Sequence, residues 1–360
     1  MSKMKNLLIG VGLDRAKLKK LNRDLRGVKR NFRRDFGAIA DSVKAAGRNM
    51  TMGITAPLAI MGAQAFKTFS GFEASMAKVK AVSGATGEEF KRLSDNARKL
   101  GRSTRFSATE VSGLQYEYAK LGFSAEEIEK VTKATLALAQ ATGSDLARSA
   151  EVAGATLRGF GLDVSETEHV TDVMAASFSA SALDLESFAE AMKQVAPLAK
   201  TAGISLEETS AMMSSLADSG LKGSIAGNAL KRILLEMAND GSSLTDKLAA
   251  LSQEELNLAD ASGEVGDRAA AALIILKDHI EKTGELTQAY ELSTGAAQDQ
   301  ADIMDDTAEG AMFKMSSAIS GMSEQIGEVL APTIISLSQK IIRLTEWFSS
   351  LSGTTRRWVV

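Results

Sequence analysis

The stretch that decides the fold runs from Phe106 to Leu146 and reads FSATEVSGLQYEYAKLGFSAEEIEKVTKATLALAQATGSDL. It holds two copies of one pattern, in which phenylalanine precedes a serine and glutamate follows that serine after three positions. Ser-x-x-Glu is the capping box of a helix N-terminus, and the apolar residue before it can pack on the fourth helical residue. This apolar contact is called a hydrophobic staple, and the pairs that fit it are Phe106 with Val111 and Phe123 with Ile128. The sequence therefore predicts two short helices, which end near Gly122 and Gly143.

Similar signals recur on both sides of this stretch. Ser or Thr followed by Glu after three residues marks predicted helix starts at Thr86/Glu89, Ser107/Glu110, Ser124/Glu127, Ser165/Glu168, Ser205/Glu208 and Ser252/Glu255. Predicted helix stops fall at Gly101, Gly122, Gly143, Gly161, Gly203 and Gly220. With Ser144 and Asp184 as plain N-caps, successive starts lie about 20 residues apart. This spacing predicts short capped helical hairpins, arranged either as a solenoid or as a globular domain.

The first 50 residues predict a basic helix with a coiled-coil seam. They hold 14 Lys and Arg against 4 Asp and Glu, whereas the whole chain has a net charge of −3. Apolar residues recur there at steps of 3 and 4, the spacing of a seam between helices. The predicted oligomerisation seam consists of Leu18, Leu21, Leu25, Val28, Phe32, Phe36, Ile39 and Val43. We expect copies of the chain to associate through it.

Two other functions fit parts of this N-terminal region. Lys and Arg along a helix could neutralise nucleic-acid phosphates, which would make the chain a helical adaptor for nucleic acid. Residues 49–66 are uncharged over nearly the length of a membrane span, but several polar residues and Pro57 interrupt them. We predict a buried or interfacial helix broken near Pro57, and a membrane-active ejection or channel-forming protein is the alternative.

The C-terminal part of the sequence predicts an acidic region followed by a long helix. Residues 240–310 hold 16 Asp and Glu against 4 Lys and Arg, and their helical pattern loosens as far as Gly263. We expect them to be helical and partly flexible. Apolar steps of 3 and 4 then predict one amphipathic helix from Glu309 to Ser350, around Pro332. The apolar terminus after it predicts that the native protein continues beyond Val360.

No pattern of catalytic or ligand-binding residues stands out. The chain has no cysteine, and its two histidines, His169 and His279, lie too far apart for a zinc motif and are expected to be ordinary surface residues. The glycine-rich segment around Gly220, Gly223 and Gly227 fits neither GxxxxGK[ST] nor GxGxxG, so it predicts a tight helix junction instead of a phosphate loop. We therefore expect no catalytic site, no cofactor and no metal.

Together these patterns predict an all-α protein with helix at about 70% of its residues and at most one short strand, near residues 7–11. The expected regions are a basic arm and coiled-coil-like helix at 1–50 and a module of capped helical hairpins at 51–239. An acidic region at 240–310 and a long amphipathic helix at 311–360 complete the chain.

Several segments in a fixed order resemble the tail tape measure proteins of long-tailed bacteriophages. The resemblance begins with FEASMAKVKAVSG at residues 72–84 and continues through AKLGFSAEEIEKV and LRGFGLD. It is most specific in MKQVAPLAKTAGISLEETSAMMSSLADSGLKGSIAGNALKRIL, residues 192–234, and ends with IGEVLAPTIISL at residues 326–337. Val265 departs from the family pattern, which often has an aromatic residue there.

The resemblance implies a structural protein of the virion tail lumen that is made in the host cytoplasm. Such a protein sets tail length during assembly and leaves ahead of the DNA at infection. The implied partners are copies of itself, as a trimer or hexamer, together with tail tube, hub or terminator proteins and tail assembly chaperones. Contacts with the host membrane and with phage DNA belong to the two alternative functions, through residues 49–66 and the basic N-terminal helix.

Overall fold

The computed structural model describes residues 55–240 and 257–350. The chain divides into two units, 1–60 and 61–360, and the fold below is that of the second. Within the described ranges 86% of residues are α-helical and none is in a strand, so the predicted all-α class is confirmed. The predicted strand and oligomerisation seam lie outside these residues.

Fourteen helices make up the described part of the chain. They are α1 (Thr55–Ser83), α2 (Gly87–Ser103), α3 (Ala108–Lys120), α4 (Ala125–Thr142), α5 (Leu146–Phe160), α6 (Thr167–Ala180), α7 (Leu185–Ala202), α8 (Leu206–Asp218), α9 (Gly223–Asp240), α10 (Leu258–Val265), α11 (Asp267–Asp278), α12 (Ile280–Glu291), α13 (Ala296–Asp305) and α14 (Ala308–Ser350). A short 3₁₀ helix, Val164–Glu166, precedes α6.

Helices α2 to α9 form two layers in which each helix packs on the next but one. The first layer contains α3, α5, α7 and α9, and the second contains α2, α4, α6 and α8. This order follows from short helices joined by tight turns, because each hairpin can bury its apolar face only against its neighbours. The longest stretch of close packing is between α7 and α9.

After α9 the chain turns back and covers the second layer. We call residues 257–305 the return segment. Within it α11 packs on α9, α12 on α8, and α13 on both α4 and α6, while α14 packs on α2. One core of buried side chains extends from Phe72 on α1 to Ala301 on α13. Helices α4 and α8 are therefore covered on both sides, and 11 of the 13 residues of α8 are buried.

The predicted helix starts agree with the structure where the capping chemistry is complete. Ser107 and Ser124 both form full capping boxes, and Ser205 accepts the backbone N–H of Glu208. The predicted start at Ser165 is wrong, because Asp163 caps the 3₁₀ helix and pairs with Glu166. The predicted cap Ser144 is displaced by one residue, since the carboxylate of Asp145 accepts the N–H of Arg148.

The predicted helix stops are correct where glycine is needed for backbone conformation. Gly143, Gly161 and Gly203 end their helices in the left-handed region, with φ between 64° and 72°. The predicted stop at Gly101 is wrong, because this residue lies inside α2. A Cβ there would stand 2.3 Å from the backbone nitrogen of Ala108, so Gly101 serves a close approach of α2 to the start of α3.

Candidate assembly surfaces

A buried carboxylate joins the return segment to the second layer. Asp172 on α6 is 2% exposed, and it accepts the backbone N–H groups of Gly295 at 2.7 Å and Ala297 at 2.9 Å. These donors lie at the N-terminus of α13, where a helix has unpaired N–H groups and a partial positive charge. Asp172 therefore caps a helix that lies more than 120 residues away in the sequence.

Hydroxyl and amide groups continue this contact along the covered face of the second layer. Ser214 Oγ on α8 lies 2.8 Å from Tyr290 Oη on α12, and Gln140 Nε2 on α4 donates to the carbonyl oxygen of Ala301 at 2.7 Å. Because these groups are buried, each one needs a partner inside the protein. The polar bonds thus fix which parts of the return segment lie on which helices, a choice that apolar contact alone would leave less specific.

Two acidic side chains near the same face have lowered pKa values. Burial, the largest influence, raises the pKa of Asp218, but hydrogen bonds from Lys282 Nζ at 2.6 Å and from the N–H of Ala182 outweigh it. Burial also works to raise the pKa of Glu207, and hydrogen bonds from the backbone, His169 and Ser205 lower it overall. His169, which we expected to be an ordinary surface residue, is half-buried and contacts the Glu207 carboxylate.

We expect the protein to lose stability as the pH falls below about 4. A carboxyl group with a lowered pKa in the folded state stabilises the fold fully above its unfolded pKa. That contribution to stability disappears as the pH falls through the pKa of the group in the folded state. Thermal unfolding between pH 7 and pH 3 should show a shallower decline for Asp218→Asn than for the parent. The same substitution at exposed Asp95 is the control, and an equal change in both variants would contradict the assignment.

Arg98 on α2 connects the long helix α14 to the rest of the unit. Its Nε lies 2.6 Å from Oε1 of Glu324, whose side chain is 5% exposed. Its Nη2 lies 3.5 Å from Oε2 of Glu328. The guanidinium group also stacks on the ring of Phe72 from α1, at 5.0 Å from the ring centre. Arginine can bind a carboxylate and an aromatic face together, so this one side chain holds three helices in register.

The buried residues on the face of α14 that packs on the protein are small or polar. Ser317 donates a hydrogen bond to the carbonyl oxygen of Arg105. At Gly327 an added Cβ would stand 2.2 Å from the carbonyl oxygen of Ala65, so α14 crosses α1 in backbone contact. Both positions are buried or nearly so. The absence of side-chain bulk at such crossings is what allows the helices to approach closely.

The three glycines singled out in the sequence lie at the junction between α8 and α9. Gly220 and Gly223 have φ values of 88° and 57°, which side chains rarely adopt. Gly227 lies in the first turns of α9, and a Cβ there would stand 2.7 Å from the Cα atom of Ala191 on α7. The first two glycines thus make the turn, and the third permits the close packing of α7 and α9.

The described residues contain neither a metal-binding cluster nor a membrane-spanning helix. Among residues 55–240 and 257–350, no group of three or more His, Asp and Glu side chains could hold a metal ion. No helix in those ranges is long and apolar enough to cross a membrane.

Comparison with known proteins identifies the family. The family model of phage-related minor tail proteins matches residues 94–331, which is well over half of the chain. The chain belongs to this family. Among the surfaces described above, the match includes the Gly220–Gly227 junction, the return segment and the Arg98–Glu324 contact.

Individual relatives of this minor tail protein are tape measure proteins. The chain is 31% identical to the tape measure protein of Pneumococcus phage Dp-1, and the match covers 89% of this chain and 30% of that protein. A probable tape measure protein of Escherichia phage P2 is 25% identical over 98% of this chain and 47% of its own length. The chain therefore spans less than half the length of these relatives. No solved structure matches it.

Several residues that hold this minor tail protein together were missed by sequence reasoning. Asp172, Arg98 and Glu324 look like ordinary charged residues on helix surfaces, and their partners are more than 100 residues away. A weak signal did exist for Glu324, because it follows Ser317 and Gly321 on a face without large side chains. The oligomerisation seam of residues 18–43 lies outside the described part of the chain.

Proposed function

We propose that this chain is a structural module of a tail tape measure protein that lies in the lumen of the tail tube. The observation that carries the proposal is the family match across residues 94–331, together with the naming of its relatives as tape measure proteins. In this role the whole protein sets tail length while the tube polymerises, and it leaves ahead of the DNA at infection. Its partners are tail tube, hub or terminator proteins and the assembly chaperones.

The geometry supports an end module in preference to a ruler. Helices α2 to α13 fold back on one another, so most of their residues add no length along a tube. By contrast, α14 contains 43 residues in one helix, which at about 1.5 Å per residue spans roughly 65 Å. A helical ruler needs a constant rise per residue, and α14 is the longest helix among the described residues that provides it. We infer that the folded part anchors one end and that length is measured by helix outside it.

The proposal predicts a specific defect in tail assembly. An early stop codon within this reading frame should abolish tails of uniform length, leaving either no tails or tubes of irregular length in electron micrographs. Suppression of the stop codon should restore them and serves as the control. Mass spectrometry should find peptides from residues 94–331 in purified tails and a loss of them after DNA ejection. Normal tails from the stop mutant would contradict the proposal.

A further inference from the structure

A groove between α9 and α11 is lined by apolar and basic side chains. Its volume is about 560 Å³, and α9 contributes the exposed residues Ile225, Asn228, Arg232 and Leu235 to it. These positions follow one another at steps of 3, 4 and 3, so they lie on one face of α9 over about three turns. The two ends are apolar, with Ile225 63% and Leu235 42% exposed. We call this surface the α9 groove.

The centre of the α9 groove is basic. Of the described residues that line it, Lys231, Arg232 and Arg268 are cationic and none is acidic. Arg268 forms no ion pair with a described residue, whereas Lys277 and Lys282, the other two basic residues of the return segment, both do. Asp and Glu outnumber Lys and Arg by 10 to 3 in the return segment. Cations without a carboxylate partner in so acidic a region favour a negatively charged ligand.

The guanidinium group of Arg232 is already held in position. Its Nε donates a hydrogen bond to the carbonyl oxygen of Val265 at 2.7 Å. Gly266 leaves room for this arrangement, because a Cβ there would stand 2.9 Å from Nη2 of Arg232. Within the described ranges no carboxylate binds the terminal nitrogens of Arg232. A guanidinium group that is held in this way loses less conformational entropy when it binds a carboxylate.

We propose that the α9 groove binds an acidic amphipathic helix of another tail protein. Its apolar ends lie ten residues apart on α9, which at about 1.5 Å per residue is roughly 15 Å. A partner helix of about three turns therefore reaches both ends with apolar residues of its own. Carboxylates between those residues then meet the basic centre of the groove and pair with its guanidinium and ammonium groups.

The chemistry of the groove distinguishes a helix from other acidic ligands. An extended peptide would need acceptors for its backbone N–H groups, and Asn228 carries the one side-chain oxygen among the described lining residues. A helix satisfies those groups itself. A nucleic-acid backbone would suit the cations but would leave Ile225 and Leu235 uncovered. The inference rests on the proposed function, because it takes the partner from the tail.

Peptide titration of the full chain tests the chemistry of the groove. Because the chain has no cysteine, Ser224→Cys can carry one environment-sensitive dye beside Ile225. The probe is a helix-forming peptide of about 15 residues, with two leucines ten positions apart and glutamates between them. At low salt the acidic peptide should bind at least about tenfold more tightly than the same peptide with lysine for every glutamate. Lys231→Glu with Arg268→Glu should weaken its binding by about tenfold or more, since attraction becomes repulsion.

Matched substitutions separate the groove from charge in general. Lys78→Glu with Lys99→Glu makes the same change in net charge at exposed positions outside the groove and should leave the affinity unchanged. If circular dichroism shows that the charge reversal in the groove impairs folding, Lys231→Ala with Arg268→Ala is the milder test and should act in the same direction. Equal affinity for the two peptides, or an affinity that neither groove variant lowers, would overturn the inference.

Photo-crosslinking in purified tails identifies the partner. With benzoylphenylalanine in place of Ile225 or of Leu235, both positions should capture the same acidic peptide of another tail protein. Leu292, which is 82% exposed and does not line the groove, is the control position and should not capture that peptide. Capture of a second copy or of another part of this chain, or no capture in tails that contain the chain, would overturn the inference alone. Tails that lack the chain would contradict the proposed function as well.

Discussion

Gly227→Ala should destabilise the protein by about 1–3 kcal/mol, although alanine is the better helix former. The new Cβ would stand 2.7 Å from the Cα atom and 2.8 Å from the carbonyl oxygen of Ala191, both backbone atoms that cannot move aside. Helices α7 and α9 would have to separate, and theirs is the most extensive helix pairing in the described part of the chain. Urea unfolding followed by circular dichroism measures the change.

Gly113 provides the matched control for this prediction. It lies within α3, and a Cβ there would meet no atom within 4 Å. Gly113→Ala should therefore stabilise the protein by about 0.5–1 kcal/mol, the usual gain when alanine replaces glycine inside a helix. The same substitution at the two positions is expected to change the free energy of unfolding in opposite directions. If both stabilise the protein, the close approach of α7 and α9 is not as described.

Asp172→Ala should cost about 2–4 kcal/mol and loosen the return segment. The substitution leaves the N–H groups of Gly295 and Ala297 without their acceptor in a buried position, and α13 loses its N-terminal carboxylate. Amide hydrogen exchange should rise first in α13, because its polar attachment to α6 is gone. Asp172→Asn keeps one acceptor oxygen and should have a smaller effect.

An exposed N-cap is the control for Asp172. Asp145 caps α5 in the same chemical way, through the N–H of Arg148 at 2.9 Å, but it faces solvent. Asp145→Ala should cost only about 1 kcal/mol, since water replaces the lost acceptor. Equal costs at the two positions, or unchanged exchange in α13, would mean that Asp172 does not hold the return segment.

Local features of this fold were predictable from the sequence because the responsible residues are neighbours. Ser107 and Ser124 each bind a glutamate three residues away, so the pattern and the bond are the same observation. Where two side chains compete for a cap, the pattern misleads, as at Ser165, where Asp163 is the stronger acceptor. Gly101 was misread because glycine serves close packing as well as left-handed turns.

Long-range features could not be predicted in the same way. The bond from Asp172 to the start of α13 joins residues that no local pattern relates, and the course of the return segment depends on many such contacts. The apolar stripe of α14 was visible in the sequence, but the sequence did not show whether that stripe faces the protein or the solvent. Hydrophobic periodicity normally marks the buried face, whereas here Gly321 and Gly327 face the protein and Met322 faces solvent.

A density map of intact tails, with this chain traced in register, tests the central claim most directly. We expect the folded unit at one end of the tube lumen, with α14 running along the tube axis. Normal tails in which residues 94–331 lie outside the tube, or are missing from it, would contradict the account.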